Sequence, residues 1–554
     1  MKRKKDSYPD LLEIEYRLAE LPSAQHRAGL VGLVLMAGWI KQEYVCRGIC
    51  DIEMTERGVT LYLDLLGLSE LFNGLYAASR EEQRRRQPMR SLRTREIIPP
   101  VREEVREVAD PVRGEVTRTK IFVYESIVPQ GAFLAELDPS GDEENGLWIK
   151  LWREVVWSIF RGVPATRRPY EARANDERIS DYETVWNDLR RGWDYAVQLP
   201  GTYFIGAQSL TAEKIPFRDR ARHQFLLNFW PLVAQIYVPV QYGPGSDLTL
   251  RGFVIAIPDV TRLDLFCRLY SRLLRARSVE PFRPRQFRPA GAVIDLVEEA
   301  GLDLLQRLRE QAEGEPHPPG VEQVLDGVEL FHLEREGNSV RQLHFSRIEP
   351  DEGLIDHYQW IRRRFLNPVF RRQQMVNLLR RPGVWYAGYD QLLARLPLAQ
   401  TFMNGPFRRD VATMFAQYSA AGEGAGPDRL PDVGRLVYEL VGGIIALQSG
   451  VSARHQVRGE VEEKSLRQLR NRIVREMFLA VRARKGRDFI DYLLSLVGSS
   501  RQVDGGAVPV DRLDLNGLNG LMEKRPDEIR TLTLLALIAQ AAGVFGEENI
   551  SDAP

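Results

Sequence analysis

The side chains of this sequence that could do chemistry are arginines, and they are concentrated in a few short segments. The chain carries 76 basic and 76 acidic residues; ten of the basic residues are lysine and 66 are arginine. A guanidinium group stays charged and can hold a phosphate through two parallel hydrogen bonds. A GC-rich genome explains an arginine excess equally well. It does not explain the segregation along the chain, which favours phosphate binding at defined places.

The first basic segment carries seven arginines within residues 80–95, which Glu81 and Glu82 offset only in part. Prolines follow, so we predict an exposed basic arm or loop. A solvated linker is the alternative explanation for such a charge run. The residues predicted to hold phosphate here are Arg84, Arg85, Arg86 and Arg90.

The second basic segment, residues 276–290, interleaves arginines with Phe282 and Phe287. A path for single-stranded nucleic acid needs this combination, because cations hold phosphates and rings stack on bases. An ordinary loop between two elements is the alternative. The predicted contacts are Arg283, Arg285 and Arg288.

The third basic segment is a predicted helix from residue 464 to 482. Residues 454–487 hold eleven basic and four acidic residues, whereas residues 502–554 hold four and nine. At 100° per residue the predicted packed side consists of Leu466, Leu469, Ile473, Met477 and Val481. The opposite side forms a basic ridge suited to a phosphate backbone, or a solvated face: Lys464, Arg467, Arg472, Arg475 and Arg482.

Motifs of common enzymes are missing from the sequence. It contains no P-loop, no GxGxxG that opens a helix, no HExxH and no GxSxG. We therefore expect no enzyme activity, no cofactor and no metal site. Two alternatives stay open: a metal-dependent DNA nuclease that uses His344, His357 and nearby acids, and a purely structural helical scaffold.

The elements that must position these residues alternate strand and helix over the first two thirds of the chain. From about Tyr358 onward almost every segment has helical periodicity. We predict an α+β protein with a mixed strand and helix N-terminal body, residues 1–370, followed by an α-helical bundle domain, residues 371–554.

Local patterns predict several of these elements. A buried apolar helix follows Ser23, and a hairpin turns at Gly58. A helix is predicted from about Ser69 through the arginines that end at residue 86, and another from Ile179 to Gln198. The segment "VELFHLEREGNSVRQLHFSRIEP" predicts a second hairpin.

Composition predicts a soluble, cytoplasmic protein. Three cysteines are too few for a disulfide framework and fit a reducing compartment. The longest apolar run, residues 28–40, is shorter than the roughly 20 residues that a membrane span needs. The N-terminus has no signal-peptide pattern, and no membrane partner is expected.

Long sequence blocks resemble a known family. They are "LPSAQHRAGLVGLVLM" from residue 21, "YESIVPQGAFL" from 124, "FIGAQSLTAEKIPFRDRARHQFLLNFWPLVAQIYVPV" from 204 and "GFVIAIPDV" from 252. The chain resembles the large subunit of type I CRISPR effector complexes (Cascade), of the MYXAN type. The resemblance spans the body to about residue 370, and the helical part agrees in architecture.

The resemblance implies a role in RNA-guided antiviral defence. Large subunits of this kind recognise the protospacer-adjacent motif on double-stranded target DNA, help to open it, stabilise the R-loop and are not nucleases. Their implied partners are the guide RNA, the displaced single strand, the Cascade backbone and small subunits, and a trans-acting helicase-nuclease or transposition proteins. The C-terminal helices resemble the small subunit, which some systems also make from an internal start; candidates are Met375, Met403 and Met414.

The strongest block also supplies site residues. The polar segment "RDRARHQ" lies inside apolar surroundings, so we predict that Arg218, Arg220 and Arg222 contact nucleic acid; a structural ion-pair network is the alternative. Gln208 could read a base edge or cap the following helix.

Overall fold

A computed structural model describes the chain from residue 11 to residue 542. The ranges outside the description are 1–10, 44–47, 91–93, 95, 110–115, 138–145, 161–166, 178, 180, 199–204, 206–217, 243–247, 280–281, 284–287, 338, 382, 421–430, 450–459, 502–519, 521 and 543–554. The chain divides into two compact units, Met1–Ile355 and Asp356–Pro554.

The N-terminal unit mixes strands and helices. Its strands are β1 (Leu12–Arg17), β2 (Cys50–Met54), β3 (Gly58–Leu63), β4 (Ala78–Arg85), β5 (Arg102–Ala109), β6 (Val116–Pro129), β7 (Ala196–Gln198), β8 (Arg218–Arg220), β9 (Gln235–Tyr242), β10 (Leu248–Leu250), β11 (Phe253–Val260), β12 (Phe282–Arg283), β13 (Arg288–Pro289), β14 (Val293–Ile294), β15 (Leu325–Glu336) and β16 (Ser339–Ile348). Its helices are α1 (Ala24–Glu43), α2 (Leu65–Leu75), α3 (Leu147–Val155), α4 (Arg168–Ala174), α5 (Asp181–Leu189), α6 (Ala221–Leu226), α7 (Leu263–Ser278) and α8 (Glu299–Ala312).

The main sheet of this unit has the strand order β10-β9-β11-β15-β16, with β14 beside β9. The predicted hairpin β15–β16 is confirmed, as is the hairpin β2–β3, which joins β1 in a separate three-stranded sheet. The predicted apolar helix is α1, which is buried along most of its length and packs against β11.

The predicted helix from Ser69 to Arg86 is wrong in its second half. The helix α2 ends at Leu75, and the chain then forms β4, which pairs along its whole length with β6. Helix-forming Glu, Gln and Arg residues suggested a helix, but cross-strand ion pairs stabilise the strand instead. Arg80 contacts Glu125 on β6, and Arg102 on β5 holds Glu82 through two hydrogen bonds of 2.5 and 2.6 Å.

The predicted helix from Ile179 to Gln198 is shorter in the structure. It begins at Asp181 and ends at Leu189, after which residues 191–195 form a turn that leads into β7. Gly192 lies in this turn and disfavours continuation of the helix.

The C-terminal unit is helical in all of its described elements, which confirms the α+β class. Its helices, the first of which crosses the unit boundary, are α9 (Glu352–Arg364), α10 (Pro368–Arg380), α11 (Tyr389–Arg395), α12 (Gly405–Ala420), α13 (Pro431–Gln448), α14 (Glu460–Ala483), α15 (Gly486–Arg501) and α16 (Pro526–Ala542). The core forms around α16, which contacts α11, α12, α13, α14 and α15. Within the described residues, no helix has the length and apolarity that crossing a membrane requires.

Candidate nucleic-acid interface

Two short strands and a turn of the N-terminal unit bring arginines and aromatic rings together. In the antiparallel pair β7–β8, Ala196 faces Arg220 and the turn 191–195 lies beside the segment 218–222. The guanidinium carbons of Arg220 and Arg222 each lie 5.4 Å from the ring centroid of Trp193. We call this group, Trp193 with Arg218, Arg220 and Arg222, the arginine–tryptophan patch.

The patch is reinforced at its edges. The guanidinium of Arg191 lies 4.3 Å from the ring centroid of Tyr195. Arg220 contacts the exposed Asp194 at 3.4 Å. Because both partners of this ion pair reach solvent, it is screened and can be exchanged for a phosphate contact.

A buried cluster around Asp219 fixes the backbone that carries the patch. One carboxylate oxygen of Asp219 lies 2.8 Å from Nε2 of His26, and the other lies 3.3 Å from Nδ1 of His223. Nδ1 of His26 lies 2.7 Å from Oγ of Ser23. The predicted alternative, a structural ion-pair network, therefore describes Asp219, whose neighbours Arg218 and Arg220 point outward with partly exposed side chains.

The cluster sets the charge states of its members. Burial alone would raise the pKa of Asp219, but hydrogen bonds with His223 and His26 outweigh it and hold the pKa well below its ordinary value. Burial lowers the pKa of His26, although Asp219 opposes this effect. The hydroxyl of Tyr16 donates to the backbone oxygen of Arg222 at 3.0 Å, so β1 also fixes the segment.

Sequence reasoning missed three members of this surface: Arg191, Trp193 and Tyr195. In the predicted helix these residues would point in different directions; in the turn, Arg191 lies over the ring of Tyr195, and Trp193 lies near Arg220 and Arg222. The signal that could have found them is "RRGWDY", where glycine interrupts the helix and aromatic residues alternate with charged ones.

The second basic segment is only partly described. Gln208 and Arg285 lie outside the described residues, and for Arg283 only its place in β12 is described. Arg288 in β13 contacts Glu154 at 2.5 Å and lies 6.0 Å from the ring centroid of Phe253. Its role in nucleic-acid binding stays a prediction.

The first basic segment begins as an edge strand, β4, which ends at Arg85, so the predicted arm or loop is wrong for that part. Arg84 and Arg85 lie on β4, and Arg86 and Arg90 follow it; all four are exposed, and Arg90 forms an isolated bridge with Ile97. The prolines fall between β4 and β5, where they do not interrupt pairing with β6. Arg84 contacts Glu104 at 3.4 Å, so some of its charge is neutralised locally.

The helix α14 is confirmed, but its packed side differs by one residue position from the predicted one. Met477 and Val481 are buried as predicted, together with Val474 and Phe478. Leu469, which the periodicity places on the packed side, is 43% exposed. The side of α14 that is buried is the side that packs against α16. The sequence of α14 alone does not define where α16 lies.

The basic ridge of α14 is partly retained. Arg472 and Arg475 are exposed, and Arg472 contacts Glu476 at 2.9 Å. Arg482 donates to the backbone oxygens of Ala394 and Leu396, both at 3.1 Å, and so holds the end of α11. Lys464 and Arg467 lie on the first turns of the helix, where side chains are not described.

The two histidines of the nuclease alternative belong to different units, and one of them has an acidic neighbour. Nε2 of His344 lies 3.9 Å from Glu298, and His357 is exposed at the start of the other unit. In the part of the chain that the structure describes, no three His, Cys, Asp or Glu side chains are grouped so that they could hold a metal ion.

Comparison with known proteins identifies the family of this chain. The model of the type I-B CRISPR Cas8b N-terminal domain matches residues 49–316, and that of the type I-B CRISPR Cas8b C-terminal domain matches residues 325–540. No curated protein matches the chain. The matches cover most of the sequence, and the chain belongs to the type I-B CRISPR Cas8b family. It is a large subunit of a CRISPR effector complex, which implies association with guide RNA and target DNA.

Proposed function

We propose that this chain is a non-enzymatic subunit that recognises the protospacer-adjacent motif on double-stranded target DNA, helps to open the duplex and stabilises the R-loop. The observation that carries the proposal is the arginine–tryptophan patch, in which the guanidinium groups of Arg220 and Arg222 both lie 5.4 Å from the ring centroid of Trp193. This patch lies within the region that matches the Cas8b N-terminal domain.

The patch has the physical properties of a backbone-gripping surface. The guanidinium groups of Arg220 and Arg222 are held near Trp193, and the buried Asp219 lies between Arg218 and Arg220 in the chain, so little side-chain entropy is lost when a phosphate binds. Phosphate contacts position a protein on DNA without reading sequence. Residues that read the motif would then lie next to the patch, and Gln208 stays a candidate by its place in the chain.

The exposed side of α14 is the proposed site for the displaced strand. Lys464, Arg467, Arg472 and Arg475 supply the cations, and Arg482 contributes through its hold on α11. Arg84, Arg85, Arg86, Arg90, Arg283, Arg285 and Arg288 are second-rank contacts for guide RNA or duplex backbone. The complex would include backbone and small subunits and would dock a helicase-nuclease or transposition proteins.

The test replaces Arg218, Arg220 and Arg222 together with glutamine in the complex assembled with guide RNA. We expect target-duplex affinity to fall about tenfold or more. The slope of log affinity against log salt should shrink by about 0.9 for each phosphate that the variant no longer neutralises. The matched control is Arg268→Gln, an arginine on α7 that is 52% exposed.

Equal losses of affinity in the triple variant and the control would contradict the proposal, because the effect would then be one of overall charge. Cleavage of DNA by the purified chain with Mn²⁺, if abolished by His357→Ala, would instead favour the nuclease alternative.

A further inference from the structure

A groove in the C-terminal unit runs beside α14. It has a volume of about 580 Å³ and lies between the turn before α12 and the middle of α14. Its apolar lining, which we call the floor, consists of Phe402, Met403 and Leu479; its polar lining, which we call the rim, consists of Arg408, Asn471, Arg472, Arg475 and Glu476. The rim thus holds three arginines and one glutamate.

The floor exposes apolar side chains that have no cover among the described residues of their own unit. Met403 is 57% exposed and Leu479 is 42% exposed. Phe402 is fixed beneath them by Phe478, whose ring centroid lies 4.8 Å from its own. Adjacent exposed apolar groups on an otherwise charged helix mark a binding surface, since covering them removes apolar area from water.

The rim offers positive charge to a ligand. Arg475 is exposed and forms no ion pair with any residue that the structure describes. Arg472 pairs with Glu476, but the two side chains are 77% and 64% exposed, so the pair is screened. The groove therefore suits a ligand that is apolar on its face and anionic at its edges.

We propose that this groove receives an unstacked base of single-stranded DNA, while Arg472 and Arg475 hold the adjacent phosphates. Every base has an apolar face that packs on flat or polarizable side chains, and Asn471 can donate to and accept from a base edge. The inference rests on the proposed role of α14 in holding the displaced strand, and adds base insertion to a phosphate contact.

An acidic peptide with an apolar anchor has similar chemistry. Single-stranded DNA is favoured because the sequence around the groove is basic over a long stretch: residues 454–487 carry eleven basic residues against four acidic ones. A single anchored peptide needs cations only around its anchor, whereas a strand needs them at each successive phosphate.

The test measures binding of the full chain to two DNA oligonucleotides of equal length, one of thymidines and one of abasic sites. Both carry the same phosphates, and only the first has bases. We expect the chain to prefer the thymidine strand by about tenfold, in the range of stacking one base. Leu479→Gln should remove this preference and leave affinity for the abasic strand unchanged.

The matched control is Leu494→Gln, because Leu494 is a leucine of α15 with the same 42% exposure as Leu479. It should keep the preference for the thymidine strand. Arg475→Gln should weaken binding of both oligonucleotides and reduce the salt slope, which reports on the ridge independently of the groove.

Equal affinity of the wild-type chain for both strands would overturn base insertion while leaving the ridge intact. If Arg475→Gln affected neither strand, the role of α14 itself would fail. Preference for an RNA strand of matching sequence over DNA would also overturn the proposal. So would unchanged DNA binding by Leu479→Gln combined with loss of assembly into the complex, since that result assigns the groove to a protein partner.

Discussion

At the scale of single residues, the carboxylate of Asp410 is placed where its charge is costly. It is buried in the first turns of α12 and accepts hydrogen bonds from the backbone N–H groups of Asn367, at 2.7 Å, and Leu366, at 3.2 Å. Burial raises the pKa of Asp410 to about 6, although both hydrogen bonds oppose the shift. Asp410 thus joins α12 to the start of α10 through a group that titrates in mildly acidic solution.

The raised pKa predicts a pH-dependent loss of stability. Between pH of about 4, the ordinary carboxyl pKa, and pH of about 6 the folded chain binds more protons at this site than the unfolded chain. The stabilisation that the protonated Asp410 gives to the folded chain is therefore fully present below that range. It is lost as pH rises through the range. Relative to Asp410→Asn, which cannot ionise, the wild type should lose about 3 kcal/mol of unfolding free energy across this window.

Urea unfolding at half-unit steps from pH 4 to pH 7.5 would measure this difference. A wild-type curve that runs parallel to that of the variant over the whole range would contradict the assignment. A difference that grows in the opposite direction, with the wild type gaining stability as pH rises, would mean that the two backbone hydrogen bonds outweigh burial.

At the scale of elements, α1 packs through two glycines against the backbone that follows the arginine–tryptophan patch. A Cβ atom at Gly29 would lie 2.3 Å from the backbone oxygen of Leu226, and one at Gly32 would lie 2.3 Å from that of Phe229. These distances are too short for any side chain. The close approach fixes α6, and with it the residues that support the patch.

The packing predicts opposite effects of the same substitution at two positions of one helix. Gly32→Ala should destabilise the chain by about 1–3 kcal/mol, because the methyl group forces the helix away from Phe229. Gly38→Ala should be stabilising by up to about 1 kcal/mol, since Gly38 is exposed in the same helix with no atom within 4 Å of its Cβ position. Urea unfolding of both variants measures the two changes in unfolding free energy. Similar losses of stability at both positions would contradict the close packing.

The elements also show what the sequence could predict and why the rest needed the structure. The helix α1 and the hairpins around Gly58 and residue 337 follow from apolar periodicity and turn residues, which are local signals. The strand β4 was missed because its pairing with β6 depends on residues about 40 to 50 positions away, such as Glu125. The sequence predicted only part of the patch. It singled out the arginines of residues 218–222, but it could not predict that Trp193 lies beside them, because that depends on the pairing of β7 with β8.

At the scale of the whole molecule, the C-terminal unit depends on contacts between its segment around α10 and α11 and its last helices. The hydroxyl of Tyr386 donates to Glu528 on α16, and Arg482 on α14 holds the carbonyl groups at the end of α11. Phe370, Tyr389 and Phe407 form an aromatic cluster that joins α10, α11 and α12. Residues before α12 therefore contribute side chains to the core of the unit.

This arrangement predicts how the candidate internal starts behave. Translation from Met375 would remove Phe370 and the backbone partners of Asp410, and translation from Met403 would remove α10 and α11. Translation from Met414 would begin inside α12 and delete Phe407 as well. We expect a fragment of residues 356–554 to unfold cooperatively, because it keeps the aromatic cluster and the Tyr386–Glu528 contact.

Circular dichroism and urea unfolding of the four fragments would test the order. Stability should fall from 356–554 to the Met375 fragment, then to the Met403 fragment, and the Met414 fragment should lack a cooperative transition. Each deletion removes buried aromatic side chains, and the removal of one such side chain costs about 3–5 kcal/mol, a large part of the stability of an ordinary domain. A Met414 fragment as stable as 356–554 would show that α10 and α11 are dispensable and that a separate small-subunit-like product can begin within α12.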